Sequence, residues 1–203
     1  MKIKHASISI LALVAALSLS GCETTGSSPE VSSGNVKYGD SKAVETLTNE
    51  FGSTDLQTIA EAMSRSMVQS RVIIAGNRPL VTVSDVKNKT SEYIDTKSIT
   101  DTIRAQLLKS GAVRFAVDID AMKTQTDELM RQNNSGLYKK TTQKKVGNMQ
   151  GADYRLEGNI TSIVKRAGDV KDVYYKFSLQ LVDIENGVIE WADEKDIRKT
   201  SSR

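Results

Sequence analysis

The chain has 203 residues, with 28 basic and 25 acidic side chains, a single histidine and a single cysteine. These two residues, His5 and Cys22, both lie near the N-terminus. The remainder of the chain therefore cannot supply a Ser-His-Asp triad, a Cys-His nucleophile, a disulfide or a His/Cys zinc site, and carboxylate chemistry is the catalytic class left open. A formal net charge of only +3 gives no reason to expect a nucleic-acid partner. The sequence also lacks glycine-rich phosphate-binding motifs, so no cofactor is predicted.

The first 21 residues have the architecture of a bacterial signal peptide. A short basic region is followed by an apolar run over residues 8–19, which is well short of the ~20 apolar residues that span a bilayer. Leu19-Ser20-Gly21-Cys22 resembles the lipobox of bacterial lipoproteins, so we expect cleavage after Gly21 and lipidation of Cys22. Glu23 stands where inner-membrane lipoproteins typically carry Asp, which by this resemblance implies the outer membrane, with the body in the periplasm. The alternative is an ordinary secretory signal with an idle cysteine.

Three regions are predicted along the chain: a signal peptide over residues 1–21, a lipidated N-terminus with a flexible linker over residues 22–52, and one globular domain over residues 53–203. The linker prediction rests on a composition rich in Ser, Thr, Gly, Asn and charged residues. About 28 residues of such a chain have a random-coil span of roughly 30 Å and an extended limit of roughly 95 Å. The domain, at about 150 residues, has the usual size for a single core.

The domain is predicted to begin with an amphipathic helix capped by Asp55. Its apolar stripe recurs at helical spacing and consists of Leu56, Ile59, Ala60, Met63 and Met67. A strand over residues 79–83 is expected next, followed by a polar loop over residues 85–92. Loops on a rigid scaffold are where recognition concentrates, so this loop is a candidate binding element.

A second helix is predicted to open with a capping-box variant at residues 98–101 and to end at Gly111. The strand that follows, over residues 113–117, ends at Asp118 and Asp120. Two carboxylates at a strand end could form an acid/base or metal-binding pair. The alternative is that Asp120 simply caps the next helix, expected over residues 121–132.

A shorter helical segment is predicted after an interruption at residues 133–136. It carries four lysines near one face, namely Lys139, Lys140, Lys144 and Lys145. Such a cluster could meet anionic lipid or the carboxylates of peptidoglycan peptides, although a charge run is more commonly a solvated face.

The last fifty residues are predicted to form a three-stranded antiparallel meander. Its central strand has apolar residues at alternate positions from Val173 to Leu181, which indicates one buried face. A turn is expected at residues 167–169, and Asn186-Gly187 favours a tight type I′ hairpin before Trp191, which is expected to pack the end of the sheet. The whole is predicted to be a single α+β domain with a mixed, mainly antiparallel sheet of four to five strands, about four flanking helices and a C-terminal β-meander.

The most specific motif of the domain runs from Asn88-Lys89-Thr90 to Ile94-Asp95, within a longer stretch over residues 78–96. This stretch, with several other segments, is similar to the LpoB family of penicillin-binding-protein activators. The other similar segments, which together cover nearly all of the region from Leu56 to Trp191, are residues 98–104, 107–111, 151–158 and 177–183, the last leading to Asn186-Gly187 and Trp191. One departure is the linker, which is short and contains only Pro29, whereas better-known family members carry a longer, proline-rich one.

The resemblance implies a fold like that of the TolB N-terminal domain, in an outer-membrane lipoprotein that binds a bifunctional class A penicillin-binding protein. It implies stimulation of glycan polymerisation and peptide cross-linking, without chemistry of its own, by a chain expected to be monomeric. We expect the partner-binding surface near Asn88, Lys89, Thr90 and Asp95, unless these side chains only stabilise turns. Two alternatives are another envelope assembly or secretion lipoprotein on the same fold, and a periplasmic hydrolase that uses Asp118 and Asp120.

Overall fold

The computed structural model describes residues 39–40, 43 and 48–202, and every structural statement below refers to these residues. The chain divides into two units, Met1–Ser41 and Lys42–Arg203, and the fold is that of the second unit. The predicted signal peptide, Cys22 and most of the predicted linker lie outside the described residues.

Four helices and six strands make up the described part of the chain. In chain order they are α1 (Ser53–Val68), α2 (Arg71–Ala75), β1 (Leu80–Val83), β2 (Lys87–Lys89), α3 (Thr96–Ser110), β3 (Arg114–Phe115), α4 (Ile119–Asn134), β4 (Tyr154–Ala167), β5 (Val170–Asp183) and β6 (Ile189–Ser202). The predicted α+β class and the C-terminal meander are confirmed, and the sheet has six strands rather than four to five.

All six strands belong to one mixed sheet in the order β3-β1-β4-β5-β6, with β2 pairing with β4 beyond the end of β1. β1 is parallel to β3 and β4, and β2 is parallel to β4, whereas β4, β5 and β6 run antiparallel. The parallel neighbours β1 and β3 are joined through α3, because a parallel pair needs a crossover connection. The β4–β5 ladder runs unbroken from Tyr154↔Asp183 to Ala167↔Val170.

The hydrophobic core lies between one face of this sheet and helices α1 and α3. Strand β5 buries every second side chain on that face, namely Val173, Tyr175, Phe177, Leu179 and Leu181. The helices contribute residues at helical spacing, namely Ile59, Met63 and Met67 from α1 and Ile99, Ile103 and Leu107 from α3. The core and the apolar residues packed against it all lie between Phe51 and Ile197, so residues 23–203 contain everything that the core requires.

One close contact holds the C-terminal meander together, and another fixes it to helix α1. At Gly158, an added Cβ would collide with the carbonyl oxygen of Ser178 and lie 3.1 Å from the Leu179 Cα, so the packing of β4 on β5 requires glycine. Trp191 packs against the core, and its indole Nε1 donates a hydrogen bond to Ser66 Oγ of α1 at 3.3 Å. The predicted role of Trp191 in packing the sheet is therefore confirmed.

Two helices are capped two or three residues before the predicted cap. Helix α3 is capped by Asp95, whose Oδ1 accepts from the N–H groups of Lys97 and Ser98, and not by a capping box opened at Ser98. Helix α4 is capped by Asp118, whose Oδ1 accepts from the Ala121 N–H, and not by Asp120. Both predictions were wrong for the same reason, because an upstream carboxylate reaches the first free N–H groups of the helix.

Three further predictions about the second half of the chain and the polar loop are corrected. The lysine-containing segment after residue 136 forms turns and no helix; Gly136 and Gly147 bracket it with left-handed φ angles of 71° and 84°. Asn186 has no positive φ, so Asn186-Gly187 is part of a longer loop in which the Asp183 carboxylate accepts from backbone N–H groups, and not a type I′ turn. The polar loop over residues 85–92 contains β2, whose pairing with β4 was not predicted.

A buried ion pair joins the first helix to the last strand. Asp55 is the third residue of α1 and not its predicted cap, and its Oδ2 accepts from the Gly52 N–H at 2.9 Å. The same oxygen pairs with Lys199 Nζ of β6, and these side chains are only 8% and 12% exposed respectively. Lys199 Nζ also donates to the carbonyl oxygen of Glu50 at 2.7 Å. One lysine thus fastens the start of the domain to its far edge.

Replacing Lys199 should destabilise the fold more than replacing another lysine of β6. We expect Lys199→Met to lower the free energy of unfolding by about 3 kcal/mol, because it leaves the Asp55 carboxylate buried without its cation. Lys195→Met is the matched control, since Lys195 lies on the same face of β6 and makes no ion pair among the described residues, and its effect should stay within about 1 kcal/mol. Urea unfolding of both variants measures the difference; equal effects would contradict the role given to Lys199.

Candidate functional site

The face of the sheet opposite the helices carries an open polar groove of about 820 Å³. Strands β2, β4, β5 and β6 and the segment at residues 84–85 line it, and no helix contributes. Side chains alternate between the two faces of a strand. Since every second residue of β5 is buried in the core, the polar residues between them, such as Ser178 and Gln180, face the groove. The groove is therefore a direct consequence of a sheet that is covered on one face only.

Paired charges form the floor of the groove. Arg155 Nε lies 2.9 Å from Glu157 Oε2, and Gln180 Nε2 donates to Glu157 Oε1 at 2.8 Å. The hydrogen bond from Gln180, followed by that from Arg155, holds the pKa of Glu157 below its ordinary value although burial opposes the shift. Glu157 is thus a fixed anion, each of whose oxygens accepts a hydrogen bond, which suits a positioned surface group and not a proton-transfer group.

The rim of the groove carries lysines that have no such partner. Lys87 and Lys89 lie on the same side of β2 and line the groove, and neither forms an ion pair among the described residues. On β5, by contrast, Lys176 is paired with Glu194 at 2.8 Å, and that hydrogen bond raises the pKa of Lys176. The groove therefore offers mixed charges with two available cations at one edge.

Two of the residues predicted to bind a partner are instead used to shape their own loop. Asn88 Oδ1 accepts from the Thr90 backbone N–H at 2.9 Å and from Thr90 Oγ1 at 2.8 Å. The Asn88 Nδ2 group donates to the Glu92 carbonyl oxygen at 2.9 Å, and Thr90 Oγ1, whose single proton is shared between this oxygen and Asn88 Oδ1, lies at the same distance from it. These bonds close the loop after β2 in the way that Asn and Thr side chains stabilise turns.

The other two residues predicted to bind a partner, Lys89 and Asp95, lie at opposite ends of this loop. Asp95 is committed to capping α3, whereas Lys89 is exposed and lines the groove. The four predicted residues thus belong to one compact element, but only the Lys89 side chain is available on the groove. The partner-binding role of all four remains a prediction.

Sequence reasoning missed the most exposed aromatic side chain of the same loop. Tyr93 is 92% exposed, and it follows Glu92, whose carbonyl oxygen is held by Asn88 and Thr90. Burial, together with the neighbouring Glu92 carboxylate, raises the pKa of the core residue Tyr175, so the loop also abuts the core. The signal in the sequence was a single tyrosine within a polar stretch; its exposure could not be predicted without the loop geometry.

Of the two carboxylates at the end of β3, Asp118 caps helix α4, and Asp120 lies in the first turn of that helix. The backbone hydrogen bond from Ala121 holds the pKa of Asp118 below its ordinary value, and Lys97, whose Nζ lies 3.8 Å from Asp118 Oδ2, adds to this effect. A general base near neutral pH would need the opposite shift. Across the described residues, no cluster of three or more His, Cys, Asp or Glu side chains could hold a metal ion. The helices of this part of the chain are also too short or too polar to cross a membrane.

The model of one protein family, described as the peptidoglycan-synthase activator LpoB, matches residues 55–197. The match extends from α1 to the second half of β6 and covers well over half of the chain. The chain belongs to the LpoB family. The family description is that of a regulator of peptidoglycan synthases and not of an enzyme. No curated protein sequence matches the chain.

Solved structures with a similar fold include two LpoB proteins. The LpoB C-terminal domain from Salmonella enterica is 16% identical, with a TM-score of 0.41 over 70% of this chain and 98% of that domain. The NMR structure of Escherichia coli LpoB is 15% identical, with a TM-score of 0.39 over 99% of this chain and 96% of that one. The lipoprotein GNA1162 from Neisseria meningitidis is 18% identical, with a TM-score of 0.37 over 61% of this chain and 84% of that one.

The structural role of Asp95 can be tested by stability alone. We expect Asp95→Ala to lower the free energy of unfolding by about 1 kcal/mol, because the first N–H groups of α3 lose their acceptor, and Asp95→Ser to restore most of it. Asp127→Ala, at an exposed position inside α4, is the matched control and should change stability by less than about 0.5 kcal/mol. Thermal or urea unfolding would argue against the cap if Ala and Ser at position 95 were equivalent.

Proposed function

We propose that this chain is an outer-membrane lipoprotein that binds a bifunctional class A penicillin-binding protein and stimulates its glycosyltransferase and transpeptidase activities. The observation that carries the proposal is the family match over residues 55–197, whose description is activation of a peptidoglycan synthase. The chemistry of the domain agrees with a binding role, because the carboxylates of Asp118, Glu157 and Asp55 serve as a helix cap and as members of ion pairs.

The proposed anchor is the lipid on Cys22, followed by the linker over residues 22–52. Acyl chains on one residue anchor a protein stably, at roughly 0.8 kcal/mol per buried methylene. The linker then sets the distance over which the domain can search for a synthase in the opposite membrane. A random-coil span of roughly 30 Å keeps the domain close to its own membrane on average, so contact with the synthase relies on extended conformations or on a tall partner.

We assign docking to the surface formed by residues 90–95, which we call the Tyr93 loop, and the edge of the groove at β2. Tyr93 offers a large aromatic side chain in a loop that is already ordered by hydrogen bonds, so little conformational entropy is lost when it is buried. Lys87 and Lys89 lie five and three residues before Glu92, whose carbonyl oxygen is the last group that these hydrogen bonds fix, and they offer charge to an acidic patch on the partner. The mixed charge of the groove suits a protein surface better than a nucleic acid.

Activation is proposed to act by a shift of populations in the synthase. Docking on a noncatalytic domain would favour the active conformation if this chain binds that conformation more tightly than the inactive one. A difference in binding free energy of about 1 to 3 kcal/mol between the two conformations is enough for about 5- to 150-fold coupling. No group of this chain needs to enter either active site.

Single substitutions test the docking surface. Tyr93→Ala should weaken the affinity of residues 23–203 for the purified class A synthase at least tenfold, or by about 1.4 kcal/mol, because an aromatic anchor is lost. Lys89→Glu should also weaken binding and should do so more strongly at low ionic strength. The affinities are measured by calorimetry with the detergent-solubilised synthase.

Ile74→Ala is the matched control for Tyr93→Ala. Ile74 is 71% exposed on α2 and does not line the groove, so its removal should leave the affinity unchanged. A loss of affinity in the control as large as that of Tyr93→Ala would move the docking surface away from this loop. Absence of binding by the unmodified chain to every class A synthase of the same organism would overturn the proposed function itself.

A further inference from the structure

A cationic stretch of the chain lies outside both the hydrophobic core and the groove. From Leu129 to Ala152 the sequence contains no acidic residue, while it carries Arg131 and four lysines: Lys139, Lys140, Lys144 and Lys145. All four lysines are exposed, and none forms an ion pair among the described residues. We call residues 135–149 the lysine segment.

Hydrogen bonds hold the lysine segment against the end of α4. Asn133 Nδ2 donates to the Lys144 carbonyl oxygen at 2.9 Å, and Gln143 Nε2 donates to the Gln132 carbonyl oxygen at 2.9 Å. The Arg131 guanidinium lies 5.2 Å from the centre of the Tyr138 ring, which adds a cation–π contact. The lysines are therefore presented together on an ordered turn structure.

Apolar side chains stand exposed among these lysines. Leu137 is 81% exposed and Val146 is 57% exposed, and Met149 and Met130 are a little under half exposed. Helix α4 has no buried residue, so this region adds nothing to the core that would require these apolar groups. Neighbouring exposed lysines and apolar side chains are the combination that binds the interface of an anionic bilayer.

We propose that the lysine segment binds the surface of anionic phospholipid membranes. The lysines would lie at the level of the phosphates, while Leu137 and Val146 would enter the boundary between headgroups and acyl chains. An anionic cell-wall polymer could satisfy the lysines, but it offers no apolar phase for these two side chains. The bilayer is therefore the occupant that accounts for both sets of residues.

Membrane binding through this segment is distinct from the synthase docking proposed above. The lysine segment shares no residue with the groove lining or with the Tyr93 loop. Binding by this segment would orient the domain on the membrane and bias which surfaces face the periplasm, whether or not Cys22 is lipidated.

The test uses residues 23–203, which lack the lipidation site and contain the entire core, with vesicles of phosphatidylglycerol and phosphatidylcholine. We expect sedimentation with the mixed vesicles and none with pure phosphatidylcholine. High salt should release the protein from the vesicles, because the attraction between the lysines and the phosphates is screened. Release by salt requires no variant, so it tests the proposal even if a variant fails to fold.

Two variants with the same charge change identify the surface. The first replaces by Gln the four lysines of the segment: Lys139, Lys140, Lys144 and Lys145. The second replaces by Gln four basic residues elsewhere on the domain: Lys109, Lys165, Arg166 and Lys171. Since a lysine near an anionic surface contributes about 1 kcal/mol, or about fivefold in affinity, the first variant should lose at least tenfold in vesicle binding, whereas the second should change about twofold or less.

A third variant tests the apolar contribution. Leu137→Ser should weaken binding while leaving its dependence on salt unchanged, because it removes no charge. Equal losses in the two charge variants would reduce the effect to net charge and overturn the proposal. So would binding to purified cell-wall sacculi in the absence of binding to vesicles. Synthase affinity should be unchanged in the first charge variant, which keeps this outcome separate from that of the proposed function.

Discussion

Strand β5 has two chemically different faces, and the arrangement of the whole domain depends on that difference. Its alternate residues from Val173 to Leu181 are buried against α1 and α3, so the helices must lie on that side of the sheet. The residues between them lie on the opposite face, where Ser178 and Gln180 line the groove, which no helix covers. A one-residue slip of β5 would exchange the two faces and place polar groups in the core. The open groove follows from the strand that builds the core.

The residues of the Tyr93 loop divide between shaping it and presenting it. The side chains of Asn88 and Thr90 hydrogen-bond to each other and to the loop's own backbone, and that of Asp95 caps the start of α3. What they leave exposed is Tyr93 and, on the groove, Lys89. Not every family-like position in this loop therefore has to contact a partner. Some of these residues act by holding Tyr93 in place, so that less conformational entropy is lost when it binds.

Strong periodicity made most of the fold predictable, and long-range or competing local interactions made the rest unpredictable. The apolar stripes of α1, α3 and β5 each mark the one face of the element that should be buried, and the structure buries that face. Lys199 and Asp55 are far apart in sequence, so nothing local indicates their pairing. The lysine segment had helical composition, but glycines at both ends and hydrogen bonds to α4 favoured a turn. For the site, the loop was predictable from its polarity, whereas the exposure of Tyr93 depended on side-chain bonds across the loop.

The central claim is that this domain stimulates a synthase by binding and does no chemistry itself. The most direct measurement is the initial rate of lipid II polymerisation by the purified class A synthase of the same organism, with and without a saturating amount of residues 23–203. The account predicts a faster rate with the unmodified domain and, at the same concentration, a smaller increase with Tyr93→Ala. It also predicts no polymerisation by the domain alone. An unchanged rate despite demonstrated binding would contradict the account.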